Sequence, residues 1–156
     1  MKSKVYLETT IPSYLTAWPS RDLVKAAHQQ ITREWWQTRS RFELFISQFV
    51  LDEAQAGDAD AARLRIESLA GIPVLAASDE IGNLAESFVI HGSLPRKCAA
   101  DALHIAIAVV SGLDYLISWN CKHIVNPTIW KKIEEICLRK GYNPIVVCTP
   151  EELKGI

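Results

Sequence analysis

Several things are missing from this 156-residue chain, and each absence narrows what it can be. No stretch of eighteen or more apolar residues occurs, so no transmembrane helix is expected. The opening M-K-S-K-V-Y-L-E is basic but lacks the apolar run of an export signal. The four cysteines, Cys98, Cys121, Cys137 and Cys148, form no C-x-x-C pair, which argues against a zinc knuckle. With no export signal they read as reduced thiols in a cytoplasmic protein. There is no excess of charge either: the net charge is −1, so nothing pulls the whole molecule toward nucleic acid. Any RNA or DNA binding has to rest on local clusters and on metal ions.

What is present suits one globular domain over residues 1–156, with 49% hydrophobic and 22% charged residues. Strand-like and helix-like segments alternate. Lys4–Glu8, Phe42–Ser47, Pro73–Leu75, Asp114–Trp119 and Asn143–Cys148 read as strands. Ser13 is positioned to cap a short helix after Thr9, Thr10 and Pro12 break the first strand. Helical spacing covers Asp22–Ser40, with Leu23, Ala26, Ala27, Ile31, Trp35 and Thr38 on one face. Further helices are expected over Gln48–Ala56, Ala59–Ala70 (capped by Asp58), Asp79–His91, Lys97–Ser111 and Pro127–Lys140. Thr149-Pro150-Glu151-Glu152 has capping-box spacing for a short terminal helix. This alternation predicts an α/β fold in three layers, a central parallel sheet of about four to five strands flanked by helices.

The run Cys98–Leu113 reads C-A-A-D-A-L-H-I-A-I-A-V-V-S-G-L and carries a single acid, Asp101. A helix apolar on every side is a buried helix, and a buried carboxylate is costly unless something pairs with it. Asp101 therefore meets a cationic side chain, caps backbone, or helps to hold a cation. Sites in open α/β sheets form at the carboxyl ends of the strands. Glu8, Thr9 and Thr10 follow the first strand; Ser47, Asp52 and Glu53 follow the second; Ser118, Trp119, Asn120 and then His123 follow the Tyr115 strand. If those strands are neighbours, Glu8, Glu53, Asp101 and Asn120 converge. Clustered carboxylates repel one another unless a hard divalent cation joins them.

Each of these residues also has a plainer reading. A Glu at a strand end is commonly solvated, and Asn120 suits a turn or an N-cap. His104 lies on the same helical side as Asp101 and is better suited to bonding a core group than to holding a metal. His123 reads as a solvated loop residue, and His28 and His91 as surface residues. Trp35 and Trp36 suit core packing or a dimer interface. Lys131-Lys132 and Arg139-Lys140 suit the polar face of the Pro127 helix. Arg96 and Lys97, about one turn before Asp101, are placed to meet phosphate.

The string V-Y-L-E-T-T-I-P-S-Y-L resembles the opening of PIN domains, and S-Q-F-V-L-D-E, A-A-D-A-L-H-I-A and L-I-S-W-N-C-K-H-I follow in the order of that family's other acidic motifs. The tail I-V-V-C-T-P-E-E-L is similar to that of VapC-type toxins. The resemblance spans nearly the whole chain. It implies a Mg²⁺- or Mn²⁺-dependent ribonuclease, the toxin of a type II toxin–antitoxin pair, with RNA as substrate, an antitoxin protein as partner, and a homodimeric state. By position it assigns Glu8, Glu53, Asp101 and Asn120 to catalysis and metal binding. Thr9 and Ser118 would orient phosphate or water, and Arg96 and Lys97 would meet the substrate. Two departures stand out: Glu8 occupies a place where Asp is usual, and neutral Asn120 occupies one that is commonly acidic. Three acids in place of four imply weaker metal affinity. The alternative is a non-catalytic PIN-like module that binds RNA or a partner.

Overall fold

The structure is a computed structural model that describes residues 1–92 and 94–154. Five strands form one parallel sheet: β1 (Lys4–Leu7), β2 (Glu43–Ser47), β3 (Val74–Leu75), β4 (Tyr115–Ile117) and β5 (Val146–Cys148). Seven α-helices connect or flank them: α1 (Thr10–Thr16), α2 (Leu23–Gln37), α3 (Gln48–Ala54), α4 (Ala59–Ser68), α5 (Asp79–His91), α6 (Ala99–Val110) and α7 (Pro127–Arg139). The predicted α/β class is the observed one, and the arrangement is consistent with a PIN-like three-layer fold.

The sheet order is β3-β2-β1-β4-β5. The chain therefore moves outward from β1 to β3, returns, and continues on the other side through β4 and β5. Right-handed crossovers place the helices of the two halves on opposite faces when the direction of travel reverses. The packing falls into the same two groups: α1 lies against α2 and α4, and α5 against α6 and α7. The direction changes between β1 and β4, which pair in register from Val5–Tyr115 to Leu7–Ile117. In this architecture that is the crevice where ligands bind.

Burial explains why the centre of the sheet is rigid. Val5, Tyr6 and Leu7 of β1 and Leu116 and Ile117 of β4 are fully buried. Parallel strands covered on both faces read as continuous apolar runs. Each such Leu or Ile contributes roughly 1.5–3 kcal/mol on burial. α6 supplies Ala102, Ile105, Ala106, Ile107, Ala108 and Val109 to the same core. Its first turn differs: Ala99 and Ala100 are exposed and Asp101 is half-buried, so only the later turns are apolar on all sides.

Three local expectations are corrected. Helix α1 begins at Thr10, with Thr9 at its N-cap, and Pro12 lies inside its first turn. Pro is tolerated there because the first-turn N–H groups have no intrahelical partner. Helix α2 buries Gln29, Thr32 and Trp35, whereas Leu23 is 86% exposed and Ala27 is also exposed. The polar pair is accommodated by hydrogen bonds. Gln29 bonds Ser20 N–H and the Trp18 carbonyl, and the Thr32 hydroxyl accepts from Trp119 Nε1 at 2.7 Å. Toward the C-terminus, Thr149 and Glu152 make the reciprocal capping contacts, but they close a turn, and no helix follows among the described residues. Trp35 is fully buried, and Trp36 packs against the core beside it.

Candidate functional site at the strand ends

Each sequence-predicted acid is delivered by a different element. Glu8 continues β1, and its N–H bonds the Ile117 carbonyl at 3.2 Å, which pins it beside β4. Glu53 sits on α3, one helical stretch beyond β2, where the Ser47 hydroxyl caps the helix by accepting from Val50 N–H. Asp101 lies in the first turn of α6. Because α6 runs back toward the start of β4, its own start lies at the end of β4. An acid in the first turn also matches the positive end of the helix dipole. Asn120 follows β4 after Ser118 and Trp119.

The structure resolves these residues into two groups linked by hydrogen bonds. Glu8, Glu53 and His104 place one ligand atom each within 4.8 Å of one another. Asp101 groups with Cys98 and His123 in the same way. Asn120 connects the two. Its Nδ2 donates to Asp101 Oδ1 at 3.0 Å, and its backbone N–H donates to Ser118 Oγ at 2.9 Å. Ser118 Oγ in turn donates to Glu8 Oε1 at 2.7 Å, and Thr10 Oγ1 donates to the same oxygen at 2.5 Å. Thr10 also accepts from Trp119 N–H at 2.9 Å, closing the network onto β4.

Glu53 is held separately. Its Oε1 takes the Thr9 hydroxyl and faces His104 Nε2 at 2.6 Å. The other ring nitrogen of His104 meets the Tyr6 hydroxyl at 2.7 Å, which also contacts Ser47 Oγ at 2.9 Å. His104 thus bonds a core group, as its sequence context suggests, and also reaches a site acid. All hydrogen bonds to the carboxyl groups of Glu8 and Glu53 among the described residues fall on Oε1. The Oε2 of each is left over, and neither is fully enclosed, since Trp35 Nε1 is the one fully buried side-chain polar atom without a partner among the described residues.

The electrostatics separate the acids. Burial raises the Asp101 carboxyl above its ordinary value, with His123 and His104 opposing and Glu53 reinforcing. Burial also works to raise Glu53, but hydrogen bonds from His104 and Thr9 and the His104 charge outweigh it, and its pKa lies below the ordinary value. Burial pushes the Tyr6 hydroxyl strongly upward, so it stays protonated. No Lys or Arg forms an ion pair with Glu8, Glu53 or Asp101 among the described residues.

Other expectations fare differently. The hydroxyls of Thr9 and Ser118, expected on phosphate or water, lie on Glu53 and Glu8. Arg96 is exposed and pairs with Glu86 at 3.3 Å; Lys97 is exposed. Asp52 is exposed and bonds Gln48, so Glu53 is the inward acid of the pair. His123 is no solvated loop residue: its Nδ1 lies 3.3 Å from Asp101 Oδ2, and its backbone N–H bonds Asn120 Oδ1 at 3.1 Å. His28 is no simple surface residue, since it stacks on Trp119 at 3.9 Å between centroids. Thr10 and Cys98 join the site without having been singled out. Thr10 follows a strand-end acid, a signal that marks the neighbourhood but not which hydroxyl reaches which carboxylate.

An α/β protein with a five-stranded parallel sheet and acids gathered at its strand ends is the class these observations define. No protein-family model matches the chain, and no curated protein matches it. No helix among the described residues is long and apolar enough to cross a membrane.

Proposed function

We propose that the protein is a divalent-metal-dependent endoribonuclease of the VapC type, the toxin of a toxin–antitoxin pair, with an antitoxin as partner and a homodimeric state. One observation carries the reading. Glu8 and Glu53 lie together with His104, and Asp101 is linked to Glu8 through Asn120 and Ser118, all at the strand ends around the switch point; among the described residues no Lys or Arg forms an ion pair with the three carboxylates.

The donor set fits a hard cation. Glu8 and Glu53 are each fixed through Oε1 and keep Oε2 for a ligand, so the carboxylates offer oxygen donors, while His104 Nε2, the nitrogen of the group, is engaged with Glu53 Oε1. Mg²⁺ or Mn²⁺ would be held by Glu8, Glu53 and Asp101, with Asn120 assisting. When bound, such an ion supplies a hydroxide nucleophile at neutral pH and charge stabilisation on a scissile phosphate. The protein's own groups prepare the site. Thr10 and Ser118 orient Glu8, Thr9 and His104 orient Glu53, and Asn120 orients Asp101.

The test is RNA cleavage in the presence of Mn²⁺. Asp101→Asn is expected to abolish cleavage while the circular dichroism spectrum is kept. Undiminished cleavage by that variant rejects the assignment. The second reading, a non-catalytic PIN-like module, is favoured by one feature: both Asp101 oxygens already have partners, Asn120 and His123. No heat of binding with millimolar Mn²⁺ would decide for it.

A further inference from the structure

Beside the oxygen-rich group lies a set of donors of another kind. Cys98 Sγ, an Asp101 carboxylate oxygen and a His123 ring nitrogen lie within 4.8 Å of one another. Cys98 Sγ is 3.5 Å from His123 Nδ1, and that nitrogen is 3.3 Å from Asp101 Oδ2. Bond lengths of roughly 2.3 Å to sulfur and 2.0–2.2 Å to nitrogen and oxygen put the ligands of a tetrahedral zinc ion about 3.6 Å apart for S–N and about 3.4 Å for N–O. The Sγ–Nδ1 and Nδ1–Oδ2 separations match that spacing; Sγ is also 3.5 Å from His123 Nε2 and within 4.8 Å of an Asp101 oxygen.

We propose that Cys98 Sγ, His123 Nδ1 and Asp101 Oδ2 form a three-ligand site for a borderline-soft divalent ion, Zn²⁺ by chemistry, with a fourth position for water or another ligand. Thiolate and imidazole select Zn²⁺ over Mg²⁺ or Mn²⁺, which prefer all-oxygen sites. The three ligands are anchored before any ion arrives. Cys98 is buried at the N-cap of α6, with its N–H on the Pro95 carbonyl at 2.8 Å. Asp101 is three residues further along, and its second oxygen is held by Asn120. His123 is tied to Asn120 through its backbone. Such outer contacts orient ligands and strengthen binding. Binding replaces the Cys98 S–H bond with a sulfur–metal bond and releases the proton to solvent. The other buried cysteines are poor competitors, since burial pushes the thiol of Cys137 up to about 11 and that of Cys148 up to about 12. Cys121 is exposed and stands outside the group.

Asp101 lies in this group and is linked to Glu8 through Asn120 and Ser118, so an ion held by Cys98 and His123 would compete for the carboxylate that the proposed Mn²⁺ site also uses. Zn²⁺ then inhibits Mn²⁺-dependent RNA cleavage. That consequence rests on the proposed ribonuclease activity; the metal site itself does not.

Co²⁺ is the probe, added to the reduced, chelator-stripped full chain. A thiolate-to-cobalt charge-transfer band saturating at one equivalent is expected, displaced by Zn²⁺ and untouched by Mg²⁺. Cys98→Ser should remove the band and Cys121→Ser should leave it. His123→Asn should weaken Co²⁺ binding at least about tenfold, which keeps the test decisive if Cys98→Ser does not fold. No band at millimolar Co²⁺, a band that survives both Cys98→Ser and His123→Asn, or one lost in Cys121→Ser overturns the site. A cobalt band without any Mn²⁺-dependent cleavage would reject the ribonuclease alone, and cleavage without a band would reject the zinc site alone.

Discussion

Asn120 stands between Asp101 and His123, donating from Nδ2 to the Asp101 carboxylate at 3.0 Å and accepting the His123 N–H at 3.1 Å. An amide is the one side chain of this size that serves both neighbours. Asn120→Asp keeps the acceptor and replaces the donor with a second negative charge facing Asp101. Burial already raises the Asp101 carboxyl, and a like charge raises it further. The metal-free variant should lose about 1–3 kcal/mol of stability. Mn²⁺ relieves the repulsion and gains a charged ligand, so its affinity should rise about tenfold, or about 1.4 kcal/mol. Thermal melting and calorimetry measure the two effects. An affinity that does not increase would mean that residue 120 does not face the metal.

Two glycines at the ends of one helix should respond oppositely to the same substitution. A Cβ on Gly92 would sit 2.3 Å from the Phe88 carbonyl oxygen, which the Gly92 N–H already bonds at 3.1 Å. Backbone must shift to make room, and Gly92→Ala should cost about 1–3 kcal/mol. Gly82, near the start of α5, has nothing within 4 Å of its Cβ position. Gly82→Ala should gain about 0.5–1 kcal/mol from reduced freedom of the unfolded chain. For a domain of this size 1 kcal/mol moves Tm by roughly 2–4 °C. Melting temperatures that move in the same direction would contradict the helix-end geometry.

Which features could be read in the sequence follows from how far apart the interacting residues lie. The central strands and α6 announce themselves because their apolar runs are continuous and local. Glu8, Glu53 and Asn120 are legible for a topological reason: each follows a strand, and parallel strands bring their ends together. The face of α2 is not legible. Gln29 and Thr32 are buried because they bond Trp18 and Trp119, while Leu23 and Ala27, which the helical spacing places on the apolar face, are exposed. Polar residues with distant partners look like surface positions until the partner is placed. His123 reads as a solvated loop residue for the same reason, since its partners Cys98 and Asp101 lie more than twenty residues earlier in the chain. The two linked acid groups, as opposed to one, depend on side-chain hydrogen bonds that no spacing encodes.

His104 should set the acid limit of metal binding through Glu53. Its hydrogen bond and charge, with Thr9, hold the Glu53 carboxyl below its ordinary value against the opposing effect of burial. A lowered carboxylate contributes stability that is present above its unfolded pKa and lost as pH falls through the folded one. His104→Phe leaves burial less opposed, so the Glu53 pKa rises and protons compete with metal at higher pH. The lost bonds to Glu53 and Tyr6 should cost about 1–3 kcal/mol, moderated because Tyr6 keeps Ser47. Mn²⁺ calorimetry between about pH 5 and 8 should show the binding midpoint displaced upward. An unchanged profile would show that His104 has only a packing role.

Asp101→Asn should separate stability from metal binding. The raised Asp101 pKa means that the fold binds this proton more tightly than the unfolded chain does. Stability is therefore favoured at pH below the raised value, and the charged form costs the metal-free protein stability as pH rises through it. Asparagine removes that cost while its carbonyl can still accept from Asn120 Nδ2. At neutral pH the metal-free variant should be more stable than the parent by about 0.5–1 kcal/mol. The difference should close once pH falls below the raised value, where the parent is protonated. Mn²⁺ at a hundred times its Kd should stabilise the parent by about 2.7 kcal/mol and the variant by far less. The two melting curves should thus exchange order when metal is added. A variant less stable than the parent without metal at neutral pH would mean that the Asp101 charge is fully compensated by His123, and that the anomaly of an acid on this helix needs no metal to resolve it.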